Sequence, residues 1–96
     1  WEASGLPSVT DLLDEDRARA FARARLGGVI DQPELLELLE VYLSEAGAVQ
    51  RIAERLGVHR NSVPARLVRL RRALGVDVED AEQRANLWFA LHFLAE

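Results

Sequence analysis

Two apolar stripes separated by a glycine turn constrain this chain more than any other feature. Val49, Ile52, Ala53 and Leu56 fall at helical spacing, and Gly57 follows where a left-handed residue ends a helix at little cost. After Gly57, Val58 and His59, a second series runs Val63, Leu67, Leu70, Leu74 and is closed by Gly75. A stripe of that period commits its segment to a helix with one buried face. Two short helices joined by a turn of about three residues, with small Ala53 where the axes cross, form a helix-turn-helix. Val58 fills the corner, and Val63 plugs the second helix into the core.

At 100° per residue, the face opposite the second stripe carries Asn61, Ala65, Val68 and Arg72, with Arg69 beside them and Arg60, Arg66 and Arg71 on the flanks. The major groove of DNA admits one helix, whose N-terminal residues meet base edges while the preceding helix crosses the backbone. Arg60, Asn61 and Ala65 are therefore the expected sequence readers: arginine pairs with guanine, asparagine with adenine, and Ala65 or Val68 offers only a methyl contact to thymine. Ser62, Arg69 and Arg72, with Gln50 and Arg51 on the first helix, are expected to anchor phosphates, and His59 and Arg66 are expected among the DNA-binding residues.

Charge supports this reading. From Gln50 to Gly75 seven arginines face one acid, Glu54, so the stretch is +6, while the whole chain is −4 and the remainder carries −10. A basic patch on an acidic body is the electrostatic footprint of a nucleic-acid binder. All twelve basic residues are arginine, so the argument rests on their placement rather than on their identity.

The run from GVHRNSV at Gly57–Val63 through Arg66 and Leu67, together with the tail LGVDVEDAEQRANLWFAL, resembles the C-terminal helix-turn-helix domain of PucR-type bacterial transcription regulators, whose helix-turn-helix is similar to that of Fis. The likeness extends over about Leu6 to Leu94. It implies a homodimer in the full-length regulator and an effector-binding domain N-terminal to this segment. The chain departs from the family pattern at Pro64, where relatives carry arginine or another polar residue, and at Ala65, where they often carry tyrosine. Proline is tolerated only in a first helical turn. The reading helix is therefore expected to span about 62–74, with Asn61 or Ser62 as N-cap.

The rest of the chain reads as scaffold. An irregular segment, Trp1 to Thr10, is expected to pack partly through Leu6 and Val9, and a helical turn follows at Leu12 and Leu13. Asp14 caps a helix over Glu15 to Leu26 that buries Ala18, Phe21, Ala22 and Leu26; its four arginines are read as solvated. Pro33 opens a helix whose core face is Leu35, Leu38, Leu39, Tyr42 and Leu43. After a link at Val76 to Glu79, Asp80 and Gln83 form a capping box for a last helix that is apolar nearly all round, one side for the core and one for a second copy or another domain. His92 is read as a packing or rim residue.

At 96 residues, with 49% apolar and 29% charged residues, the chain is long enough for one globular domain around one core. No methionine is present and the first residue is tryptophan, so the chain is expected to be a C-terminal piece of a longer regulator. The absence of cysteine excludes disulfides and argues against structural zinc, and no apolar run approaches the eighteen or so residues of a membrane span; the expected compartment is the cytoplasm. No catalytic set emerges: the only histidines are His59 and His92, no serine has a nucleophile context, and dipole and capping account for Asp14, Glu15 and Asp16. Neither enzyme activity nor a cofactor or metal is expected.

The fold expected is all-α: five to six short helices around one core, with the helix-turn-helix at about 49–74. The function expected is sequence-specific binding of double-stranded DNA. The alternative is a helical protein-interaction or dimerisation module, favoured by Pro64 and Ala65.

Overall fold

The computed structural model describes residues 8–94, so the expectation for Leu6, and that for the side chain of Val9, lie outside the described residues. A short 3-10 turn, Val9–Leu12, leads into five α-helices: α1 (Glu15–Leu26), α2 (Pro33–Ser44), α3 (Val49–Leu56), α4 (Val63–Leu74) and α5 (Ala81–Leu94). No strand occurs among the described residues, and the all-α class holds.

α1 and α5 start where an aspartate supplies a partner for the first N–H groups, whereas α2 and α4 open with proline in the first turn and α3 has no side-chain cap. Asp14 Oδ1 accepts from Asp16 N–H at 2.9 Å and Arg17 N–H at 3.2 Å, and Asp80 Oδ2 accepts from Gln83 N–H at 3.1 Å. Only half of the expected capping box forms at α5. The Gln83 side chain turns away and accepts from Arg25 Nη1 at 2.9 Å, which ties the end of α1 to the start of α5. Arg25 also lies over the Phe21 ring, 5.4 Å from its centroid, and is half-buried. It is thus not the solvated arginine that its sequence neighbourhood predicts, whereas Arg17 and Arg23 are exposed.

One apolar core joins all five helices. α1 presents Ala18 and Ala22 toward α5, small residues that let the two axes approach, and α5 buries Leu87, Ala90 and Phe93. α2 runs through the middle, packing on α3, α4 and α5, and buries Val41 in addition to the predicted Leu35, Leu38, Leu39 and Tyr42; Leu43 is only half-buried. The connections also contribute to the core: Val29 after α1 and Val78 after α4 are fully buried, although the sequence reads the second as part of a plain link. Every buried side chain is apolar among the described residues. No helix there is long and apolar enough to cross a membrane.

Gly28 has a structural duty that its sequence context conceals. A Cβ built on it would lie 2.7 Å from the carbonyl carbon of Ala73 and closer still to its oxygen. The turn after α1 therefore touches the last turn of α4 backbone to backbone, which only glycine permits.

Candidate nucleic-acid interface

The helix-turn-helix is built from backbone preferences and one buried stripe. Gly57 takes φ 69°, and Val58 N–H reaches back to Ala53 carbonyl at 3.0 Å, which closes α3 in a Schellman arrangement. Gly57 and Gly75 (φ 73°) have open space where a Cβ would sit, so both are glycine for backbone reasons. Ile52 and Ala53 of α3 and Val63, Leu67 and Leu70 of α4 are buried, as the two stripes require, while Leu56 and Leu74 are half-buried. Val49 breaks the expectation and stands 39% exposed. It is the first residue of α3, before the helix has turned its apolar face fully inward.

The entry into α4 differs from the prediction in an instructive way. Residues Arg60–Ser62 form a single 3-10 turn, and α4 proper begins at Val63 with Pro64 in its first turn, as proline demands. Neither Asn61 nor Ser62 caps the helix through its side chain. Ser62 holds the N-cap position of α4, and the side-chain cap sits one turn earlier, on the 3-10 turn: His59 Nδ1 accepts Asn61 N–H at 3.0 Å while its carbonyl accepts both Ser62 N–H at 2.9 Å and Ser62 Oγ–H at 2.8 Å. An Nδ1 that accepts belongs to a neutral ring whose proton is on Nε2, leaving that N–H as the ring's donor. The Ser62 hydroxyl proton is likewise committed to His59, so Ser62 meets an outside group only as an acceptor in this geometry.

The outward face of the unit gathers most of the residues singled out from sequence. Gln50, Arg51, His59, Arg60, Asn61, Ala65, Arg69 and Arg72 are exposed, and Arg66 and Ser62 are half-buried. Among the described residues, the side chains of Arg51, Arg60, Arg66, Arg69 and Arg72 form no hydrogen bond or ion pair. Two of the seven arginines counted in the basic stretch do not belong to this set. Arg55 pairs with Glu45 at 3.2 Å, and Arg71 leans on the body with its Nε buried and unbonded. Five free guanidiniums thus flank an uncharged strip of Asn61, Pro64, Ala65 and Val68. Such a surface supplies delocalised positive charge for phosphates at its edges and short side chains at its centre, where a base edge would approach.

A groove of about 610 Å³ lies between the leading turn, α1 and α5 and is lined by Leu12, Leu13, Phe21, Phe89 and Phe93 among others, with no residue of α3 or α4. Among the described residues no three His, Asp or Glu side chains come together as a metal cage would need.

Comparison with known proteins agrees with this architecture. Residues 35–93 match the PucR C-terminal helix-turn-helix domain. The chain is 44% identical over 84 residues to an uncharacterized protein in the pkwA 5' region of Thermomonospora curvata, an alignment covering 83% of this chain and 47% of that protein. It is 30% identical over 95 residues to the purine catabolism regulatory protein of Bacillus subtilis, covering 95% of this chain and 18% of that protein. The chain therefore spans about half, or less, of the relatives it matches. No solved structure matches it. With more than half of its residues inside the match, and with both stripes, both turn glycines and the whole of α4 lying within it, the chain belongs to the family of PucR C-terminal helix-turn-helix domains.

Proposed function

We propose that this domain binds double-stranded DNA in a sequence-specific manner as the operator-reading part of a bacterial transcription regulator, with α4 in the major groove. The observation that carries the reading is the set of five unpaired arginines around Asn61 on the exposed face of a helix-turn-helix, in a chain whose remaining charge is strongly acidic. Arg60, Asn61 and Ala65 meet base edges; Arg51, Arg66, Arg69 and Arg72, with Gln50 and the His59 Nε2–H, set the register on the phosphates, and Ser62 joins them by turning its hydroxyl proton from the His59 carbonyl to a phosphate oxygen.

One α4 of 12 residues buries too little surface for tight binding alone, so the working unit is a homodimer on a two-fold site with reading helices about 34 Å apart. The effector that governs it binds outside this domain, in the N-terminal part of a longer cytoplasmic protein. The name of the Bacillus subtilis relative supports a role in regulation.

The test is selection of the purified 96-residue chain against a random duplex library at near-physiological salt, followed by titration of the winner with salt. A recovered motif with steep salt dependence supports the proposal. Salt-sensitive binding without a motif makes the domain an architectural binder. No binding at all favours the second reading, a helical interaction module, for which the exposed Pro64 and Ala65 on the reading helix and Trp88, 52% exposed on α5, speak.

A further inference from the structure

α4 carries two stripes of the same period. The inner one, Val63, Leu67, Leu70 and Leu74, is the core seam. The outer one, Ala65, Val68 and Arg72, continued back to Asn61 in the preceding 3-10 turn, repeats its four-three-four spacing on the exposed side, and Pro64 lies against it. Polar residues would be expected on a helical face that serves only to solvate the domain. Here the three central positions are apolar: Pro64 and Ala65 are exposed, and Val68 is one of the few large apolar side chains left open among the described residues, at 41%. None of the three can donate or accept a hydrogen bond through its side chain. Unpaired Arg69 and Arg72 lie beside and beyond Val68, and unpaired Arg60 lies ahead of the strip, so it sits inside the basic frame that would hold it against a groove.

We infer that Ala65 and Val68, backed by Pro64, form a methyl-reading strip whose ligand is the C5-methyl group of thymine, with Val68 the residue that decides specificity in the middle of the half-site. This rests on the DNA-binding reading above. In the major groove the thymine methyl is the one base feature that an apolar side chain recognises, and cytosine presents an amino donor instead. Along the outer face Ala65 follows Asn61 and Val68 follows Ala65, so the three meet the groove in that order. The half-site therefore combines an adenine held by Asn61 with thymine methyls further along the same groove. Because the strip senses the methyl and not a hydrogen bond, 5-methylcytosine substitutes for thymine better than cytosine does.

The test takes the motif recovered from the random library and replaces each thymine singly by deoxyuridine, which keeps base pairing and removes only the methyl. Binding of the 96-residue chain and of Val68→Ala is measured at fixed salt. The expected result is a loss of about fourfold per recognised methyl, the value of one buried methylene-sized group, at two or three thymines. Val68→Ala becomes indifferent to the deoxyuridine change at one of them while its salt slope stays that of the unaltered chain. A recovered motif whose thymines can all be replaced by deoxyuridine without a change in affinity overturns the methyl strip and leaves DNA reading by Arg60 and Asn61 intact. Failure to recover any motif removes both together. Val68→Thr, of the same shape but bearing a hydroxyl, serves as the second variant: weakened discrimination by it supports the strip, and unchanged discrimination by both variants overturns it.

Discussion

The imidazole Nδ1 of His59 accepts the backbone N–H of Asn61 at 3.0 Å, so the residue proposed to read a base is held by its own neighbour two positions back. Replacing His59 by Ala removes that acceptor and is expected to cost about 1 kcal/mol of stability, the usual value of a lost cap. His59→Asn keeps a side-chain oxygen that can accept the same N–H and is expected to recover most of the loss. Thermal unfolding of the two variants beside the unaltered chain checks this. Equal losses in both would mean that the ring packs rather than caps.

Asn61 and Arg72 stand at opposite ends of the outer stripe and are expected to fail differently. Asn61→Ala costs roughly 1 to 3 kcal/mol in binding and relaxes one base position, whereas Arg72→Ala weakens all sequences alike and lowers the salt slope by about one. Titrations on the selected site and on a scrambled duplex separate the two. A uniform loss for Asn61→Ala would reverse the assignment of reader and anchor.

The pairing of Arg55 with Glu45 at 3.2 Å sets a contrast within the basic stretch. With its guanidinium held on the body, Arg55→Ala is expected to leave the salt slope of DNA binding unchanged while Arg69→Ala reduces it by about one. The pair is largely exposed on the arginine side, so its loss costs under about 1 kcal/mol of stability. A slope change at Arg55 as large as at Arg69 would place Arg55 on the phosphates.

Gly28 and Gly57 predict two sizes of damage from one substitution. Gly57→Ala meets open space and loses only the ease of a positive φ, about 1 to 2 kcal/mol. Gly28→Ala drives a methyl into the carbonyl of Ala73 and must separate α1 from the end of α4, so it costs more, about 3 kcal/mol or above. Urea unfolding of both variants orders them. Gly28→Ala equal to or milder than Gly57→Ala would show that the contact yields easily.

Periodic features were legible in the sequence because burial follows spacing: the α4 stripe, the two left-handed glycines, the Asp14 cap and the displacement of the helix start by Pro64 all follow from local rules. What escaped depends on partners far away in the chain or on ring geometry. Gly28 meets a residue beyond α3, Arg25 is claimed by Gln83, and Arg55 by Glu45, so counting charges along the stretch overstated how many arginines are free. The cap by His59 escaped because histidine is not a favoured capping type, and it needs the ring to face back along the chain. Val49 shows the converse limit: correct spacing at the first residue of a helix does not secure burial.

The contact between the first and last helices has a mechanical consequence. Arg25 and Gln83 meet across 58 residues of sequence, so the reading unit is strung between two ends that are clasped to each other. A pull transmitted through those ends loads the α1–α5 clasp first and bypasses α3 and α4. Tension from a tethered neighbour would therefore open the rear of the domain while the face that bears Asn61 and Val68 kept its shape.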